Sequence, residues 1–230
     1  MKKDKNLALK GISAFLIYFL VTELQALPFL LLGIDIESLS KFITATYTIV
    51  IELIIILSIF LLFKDYIIKC FKNLKKNHKE YFKKYFKYWF LMYGLMVLSN
   101  GIIMLFFKGT GPNNQDVINE MFTEMPVYVF ILSVMLAPII EEFAFRLSFR
   151  AMFKNKYLFI LLSGLVFGSF HVIPLFKTAV DLLYIIPYSI PGFIFAYTLY
   201  KSDNIFVPMG LHLFHNGISM SMQIILLLFT

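Results

Sequence analysis

Seven stretches of this 230-residue chain are long and apolar enough to be read as membrane crossings, running roughly 9–32, 42–63, 86–107, 126–147, 158–176, 182–200 and 204–229. A hydrocarbon layer roughly 30 Å thick needs about 20 predominantly apolar residues per helical crossing. A soluble core needs no such repetition. Only 15% of the residues are charged and 60% are apolar, against roughly 25% charged in an ordinary soluble domain. In lipid, a chain without alternating strand patterns satisfies its backbone groups as helices. The expectation is an all-α, polytopic transmembrane bundle of about seven spans. It forms a single membrane-embedded domain over 1–230, with N-terminal spans and a basic loop in 1–125 and a catalytic core in 126–220. The first apolar run continues to about Leu32, beyond the usual h-region of a signal peptide, so it is expected to remain as the first span.

The formal charge is +7, and most of the excess lies between Lys64 and Lys87, where nine lysines face only Asp65 and Glu80. Beside a membrane span such a cluster is a topogenic signal that holds a loop in the cytoplasm, and it attracts anionic lipid head groups. This reading displaces nucleic-acid binding. With the N-terminus cytoplasmic, the lysine loop, Arg150, Lys154, Lys156 and Lys201 share the inner side. The outer connections hold Lys41, Lys108 and Lys177 against Asp35, Glu37, Asp116, Glu120, Glu124 and Asp181. The localisation expected is therefore a multi-pass cell-membrane protein. Within the basic loop, Tyr66, Ile67, Cys70, Phe71 and Leu74 recur at helical spacing, which suggests a short amphipathic helix at the interface. Cys70 is the only cysteine, which excludes an intramolecular disulfide framework.

Ionisable groups inside a bilayer are expensive, so their positions carry information. Outside the loops they are Glu23, Glu52, Glu141, Glu142, Arg146, His171, His212 and His215. Glu142 and Arg146 are four apart and share a helix face, acid before base. Glu141 points about 100° away and is left without that partner. Glu142 is thus a structural acid and Glu141 one available as a base, although both could simply mark the end of a span. Pro138 is expected to bend the helix just before them. Phe167 and His171 are also four apart, so the ring can fix the imidazole, and His171 lies near the middle of its span. Gly164 and Gly168 permit close helix approach. His212 and Asn216 share a face and can both donate hydrogen bonds toward a developing oxyanion, or equally bond between helices.

These three motifs, Glu-Glu-x-x-x-Arg, Phe-x-x-x-His and His-x-x-x-Asn in that order, resemble those of the CPBP membrane proteins, a family of CAAX prenyl endopeptidases and bacteriocin-processing or immunity proteins. The resemblance covers roughly 126–220. It implies a glutamate-dependent intramembrane endopeptidase acting on a peptide or membrane-protein substrate. On that pattern Glu141 and His171 hold and activate water, His212 and Asn216 stabilise the oxyanion, and Glu142, Arg146 and Phe167 support the site. No cofactor is expected. Were zinc present, Glu141, His171 and His212 would be its ligands, but no His-Glu-x-x-His element places two ligands a turn apart. Depth along the spans suggests a site facing the cytoplasm. Two other readings stand beside this one, a non-catalytic scaffold or immunity protein and a proton-coupled transporter. Glu23 and Glu52 favour the latter, because the peptidase reading gives them no role.

Overall fold

The computed structural model describes residues 5–107 and 113–229. Lys108, counted above among the outer charges, and residues 1–4 of the charged N-terminal stretch lie outside the described residues, as does the side chain of Glu37. The main helices are α1 (Leu7–Leu24), α2 (Lys41–Tyr85), α3 (Lys87–Phe107), α4 (Asn113–Glu124), α5 (Pro126–Met152), α6 (Lys156–Val172), α7 (Ile185–Ser202) and α8 (Phe206–Phe229). Among the described residues, six helices are long and apolar enough to cross a membrane: α1, α2, α3, α5, α6 with the turn after it, and α7 with the turn before it. The seventh expected segment, 204–229, is helix α8. The chain is a multi-pass helical membrane protein.

Long-range contacts fix which connections share an end of the bundle. At one end, Tyr66 Oη donates to the Asp203 carbonyl (3.1 Å) and Asn204 Nδ2 to the Cys70 carbonyl (2.9 Å). The Arg150 guanidinium lies over Tyr200, and the start of α1 packs on the end of α5, where a Cβ on Gly11 would meet the Ser148 carbonyl oxygen at 2.5 Å. This is the basic end. At the far end, Lys41 pairs with Glu124 (2.5 Å), and Asn113 Nδ2 donates to the Leu175 carbonyl (3.0 Å) and to Asp181 Oδ2 (3.2 Å). The connections grouped by charge in the sequence are therefore grouped in space.

The lysine-rich stretch departs from expectation. It is not a loop with a short interfacial helix but the continuation of α2, bent at Phe63 and Asn77. No glycine or proline interrupts 64–85, and lysine is a good helix former, so nothing in the local sequence stops the helix. The bend at Phe63 falls where the apolar span gives way to Lys64. Ile67 and Cys70 are buried against the protein and Phe71 packs on Phe206 (5.7 Å), so the amphipathic face docks on the α7–α8 turn while the lysines point outward. Asp203 makes that turn possible by taking a left-handed conformation (φ 46°), one that Asp tolerates better than most residues.

Helices α6 and α7 pack most closely. A Cβ on Gly164 would meet the Phe193 ring at 2.1 Å, and one on Gly192 would meet Gly164 Cα at 2.7 Å. The glycine spacing read from the sequence is thus used for helix approach. Helix α5 is not uniform: π-helical turns at Ile131–Leu136 and Glu142–Leu147 flank a short α segment, Ala137–Glu141. The expected effect of Pro138 is taken up by the first of these widened turns.

Candidate active site

Glu141, at the end of the short α segment of α5, reaches the wall of a cavity of about 410 Å³. Its carboxylate stands between two histidines from different helices: Oε1 is 3.9 Å from His171 Nε2 and Oε2 is 3.5 Å from His212 Nε2. The other nitrogen of each ring is committed. His171 Nδ1 is 2.9 Å from the Phe167 carbonyl oxygen, which can only accept, so Nδ1 carries the proton. His212 Nδ1 is 3.0 Å from Glu142 Oε1 and donates to it by the same logic when that carboxyl is ionised. Both imidazoles therefore present Nε2 to Glu141. His171 sits in the last turn of α6 rather than near the middle of its span, and His212 lies in the second turn of α8.

The supporting residues lie behind this trio. Glu142 and Arg146 are both fully buried, with Arg146 Nε 3.3 Å from Glu142 Oε1. The guanidinium is centred 4.0 Å from the Phe167 ring and 5.3 Å from the Phe195 ring. A planar, weakly hydrated cation suits such a position better than an ammonium would. Phe167 also lies 4.4 Å from the His171 ring, and Phe195 stacks on His212 at 4.8 Å. The two aromatics thus hold the buried cation and both imidazoles in one packed unit. Ser163 Oγ donates to the Phe145 carbonyl (2.8 Å), tying α6 to the second π turn.

Asn216 lines the cavity, and its Nδ2 donates to the Ser133 carbonyl (2.8 Å). That carbonyl needs an outside donor. In the π turn the Ala137 N–H is given to Leu132, and the next donor in register would be residue 138, a proline without an N–H. One amide hydrogen of Asn216 therefore closes the gap that Pro138 opens, and the second remains for other use.

Glu141, Phe167, His171, His212 and Asn216 thus line one cavity, with Glu142 and Arg146 buried behind them. The motifs gave no hint of Phe195, or of Tyr188, which stacks on His171 at 5.0 Å. Ser133 could have been found by looking five residues before Pro138. Glu23 is exposed on α1. Glu52 is half-buried, lies within electrostatic reach of Glu141, and its Oε2 has no hydrogen-bond partner among the described residues. Among the described residues, no three His, Cys, Asp or Glu side chains are arranged to hold a metal ion.

Toward the basic end the cavity is flanked by packed aromatic rings. Phe86 and Trp89 pack on Phe214 there, with ring centroids 5.0 and 5.2 Å apart. Its wall instead runs toward the far end through Asn100, Ser133, Ser219 and Gln223. Helix counting could not reveal this, because the plug is made by aromatic side chains from two distant helices.

The chain is 28% identical over 123 residues to "Putative membrane peptidase YdiL" of Bacillus subtilis (strain 168), an alignment covering 52% of this chain and 47% of that protein. It is 23% identical over 137 residues to "UPF0177 protein YvdC" of Lactococcus lactis subsp. lactis (strain IL1403), covering 59% and 51%. The chain spans about half the length of the curated relatives it matches. No solved structure matches it. All seven motif residues fall within 123–218, the part of the chain that matches the Rce1-like family of type II CAAX prenyl endopeptidases.

Proposed function

We propose that this chain is a glutamate-dependent intramembrane endopeptidase, oriented with its N-terminus in the cytoplasm, that hydrolyses a peptide or membrane-protein substrate with an activated water. The observation that carries the reading is the convergence of two imidazole Nε2 atoms on the Glu141 carboxylate at a cavity wall. With both Nδ1 atoms protonated, neutral imidazoles offer lone pairs toward an acceptor, so the gap between Glu141 and His171 calls for a donor. A water donating one hydrogen to Glu141 Oε1 and the other to His171 Nε2 satisfies both, and turns its own lone pair to the cavity. The 3.9 Å separation is too long for a direct bond and suits a bridge.

In the reaction Glu141 takes one proton as the water oxygen bonds to the scissile carbonyl carbon. The carbonyl π electrons move to oxygen, forming a tetrahedral oxyanion. Glu141 Oε2 and His212 Nε2 are near enough to share the captured proton, so His212 Nε2–H, together with the second amide hydrogen of Asn216, supplies donors for that oxyanion. Collapse breaks the C–N bond as the proton passes to the leaving amine. Glu142 and Arg146 keep His212 in its tautomer. The match to a family of membrane endopeptidases supports this reading.

The test compares N-terminal peptide maps of membrane proteomes from cells carrying the wild-type protein and Glu141→Gln at matched abundance. New termini present only with the wild type are expected. Identical maps would leave a non-catalytic membrane scaffold or immunity protein as the better account.

A further inference from the structure

The cavity at Glu141 can be approached from three directions, and two are obstructed. At the basic end the Phe86, Trp89 and Phe214 rings close the space between α3 and α8, with Tyr93 against His215 (6.4 Å) just behind them. At the far end α4 lies across the bundle. Asn113 holds its start to Leu175 and Asp181, Glu124 holds its end to Lys41, and Gln223 Nε2 donates to Asn119 Oδ1 (2.7 Å) in between. Ile118 of α4 forms part of the cavity wall. The third direction is sideways. Two lining residues are exposed, Val97 on α3 (54%) and Ser219 on α8, one from each flank of the crevice beyond the aromatic plug. Val97 lies on α3, one of the six helices long and apolar enough to cross a membrane, and Ser219 faces it from α8, so the crevice opens sideways toward lipid.

The lining chemistry narrows what can pass. Among the described lining residues Glu141 is the only Asp, Glu, Lys or Arg, whereas neutral hydrogen-bonding groups recur: Asn100, His215, Ser219 and Gln223. His215 has no part in the hydrolysis proposed above, yet its Nδ1 is buried without a hydrogen-bond partner among the described residues. A peptide bond must leave its helix to be attacked, and within hydrocarbon each freed backbone N–H and C=O group needs a new partner. Neutral amide, hydroxyl and imidazole groups match such a backbone.

We propose that the substrate is an uncharged, membrane-embedded peptide segment that enters sideways from the bilayer between α3 and α8, over Val97 and Ser219, and that His215 and the neutral side chains beside it bind its unwound backbone. This rests on the peptidase reading, and it is tested by binding alone.

The experiment uses the full chain carrying Glu141→Gln, reconstituted in phosphatidylcholine vesicles. The probe is a twenty-residue Leu/Ala peptide with a central Asn-Gly pair and a dabcyl quencher. Trp89, the only tryptophan, packs on Tyr93 of the cavity wall (5.3 Å) and reports binding by its fluorescence. Val97→Cys is modified with a bulky methanethiosulfonate, a reaction that the single native thiol, buried Cys70, leaves clean. Modification is expected to weaken quenching by about tenfold, a change near 1.4 kcal/mol, and reduction to restore it. The same treatment at Leu98→Cys, exposed on α3 but outside the cavity, should change nothing. A water-soluble decapeptide with the same centre and quencher should not quench. Binding that ignores the Val97 block, equal quenching by the decapeptide, or no quenching by the embedded peptide would each overturn the proposal. None of these outcomes bears on the N-terminal maps, which judge the peptidase reading separately.

Discussion

Replacing Glu142 with Gln removes one charge and almost no volume. Arg146 is fully buried, and Glu142 is the carboxylate in ion-pair contact with it, at 3.3 Å. The substitution keeps a side-chain oxygen for the His212 Nδ1–H bond, so the change isolates the guanidinium. Removing one partner of a buried pair costs about 3–5 kcal/mol, because the remaining charge is stranded away from water. For a chain of this size each kcal/mol shifts the midpoint by about 2–4 °C, so Glu142→Gln should lower it by roughly 6–20 °C. Thermal unfolding in detergent, followed by Trp89 fluorescence, reads this directly. The diagnostic partner is the double variant Glu142→Gln/Arg146→Met, which removes the stranded charge and should be more stable than Glu142→Gln alone by about 1–3 kcal/mol. A midpoint within about 2 °C of wild type for the single variant, or a double variant weaker than both singles, would refute the claim that this pair braces the site.

Asn216→Leu leaves the Ser133 carbonyl without a donor and should destabilise the protein by about 1–3 kcal/mol in the same unfolding assay. Were Asn216 only an oxyanion donor, its loss would slow proteolysis and leave the midpoint in place. Gly168→Ala sets a Cβ 2.7 Å from the Ser189 nitrogen and 2.8 Å from the Ile185 carbonyl oxygen, so backbone must move, at about 1–3 kcal/mol. Gly101→Ala meets nothing within 4 Å and should stabilise α3 by up to about 1 kcal/mol, giving a matched pair of opposite sign in one melting series.

Much of this was legible in the residues because it depends on local spacing. The apolar runs gave the helices, the i,i+4 relation gave Glu142–Arg146 and Phe167–His171, and Gly164 with Gly168 gave the close approach of α6. What escaped depends on pairs distant in the chain. Phe195 has no motif around it, yet it stacks on His212 and flanks Arg146. The continuity of α2 past Lys64 was hidden because a charge run reads equally well as loop or exposed helix, and only the α7–α8 turn supplies a face for Ile67 and Cys70 to cover. The aromatic packing beside the cavity escapes for a related reason: depth along single helices says nothing about which side chains fill the space between them.

The two widened turns of α5 also make that helix a record of insertions. Each π turn amounts to one residue added to an α-helix, which shifts everything beyond it by about 100° in phase. Ala137–Glu141 is therefore out of phase with both flanking segments, while those flanks keep their own seats in the bundle. The two shifts have the same sense and add to about 200°, so removing one residue from each window would not cancel them; in each window the widened turn is what carries the extra residue while the segments on either side stay seated. A one-residue change of length in 131–136 that no widened turn absorbs would thus be enough to turn the carboxylate from the cavity wall.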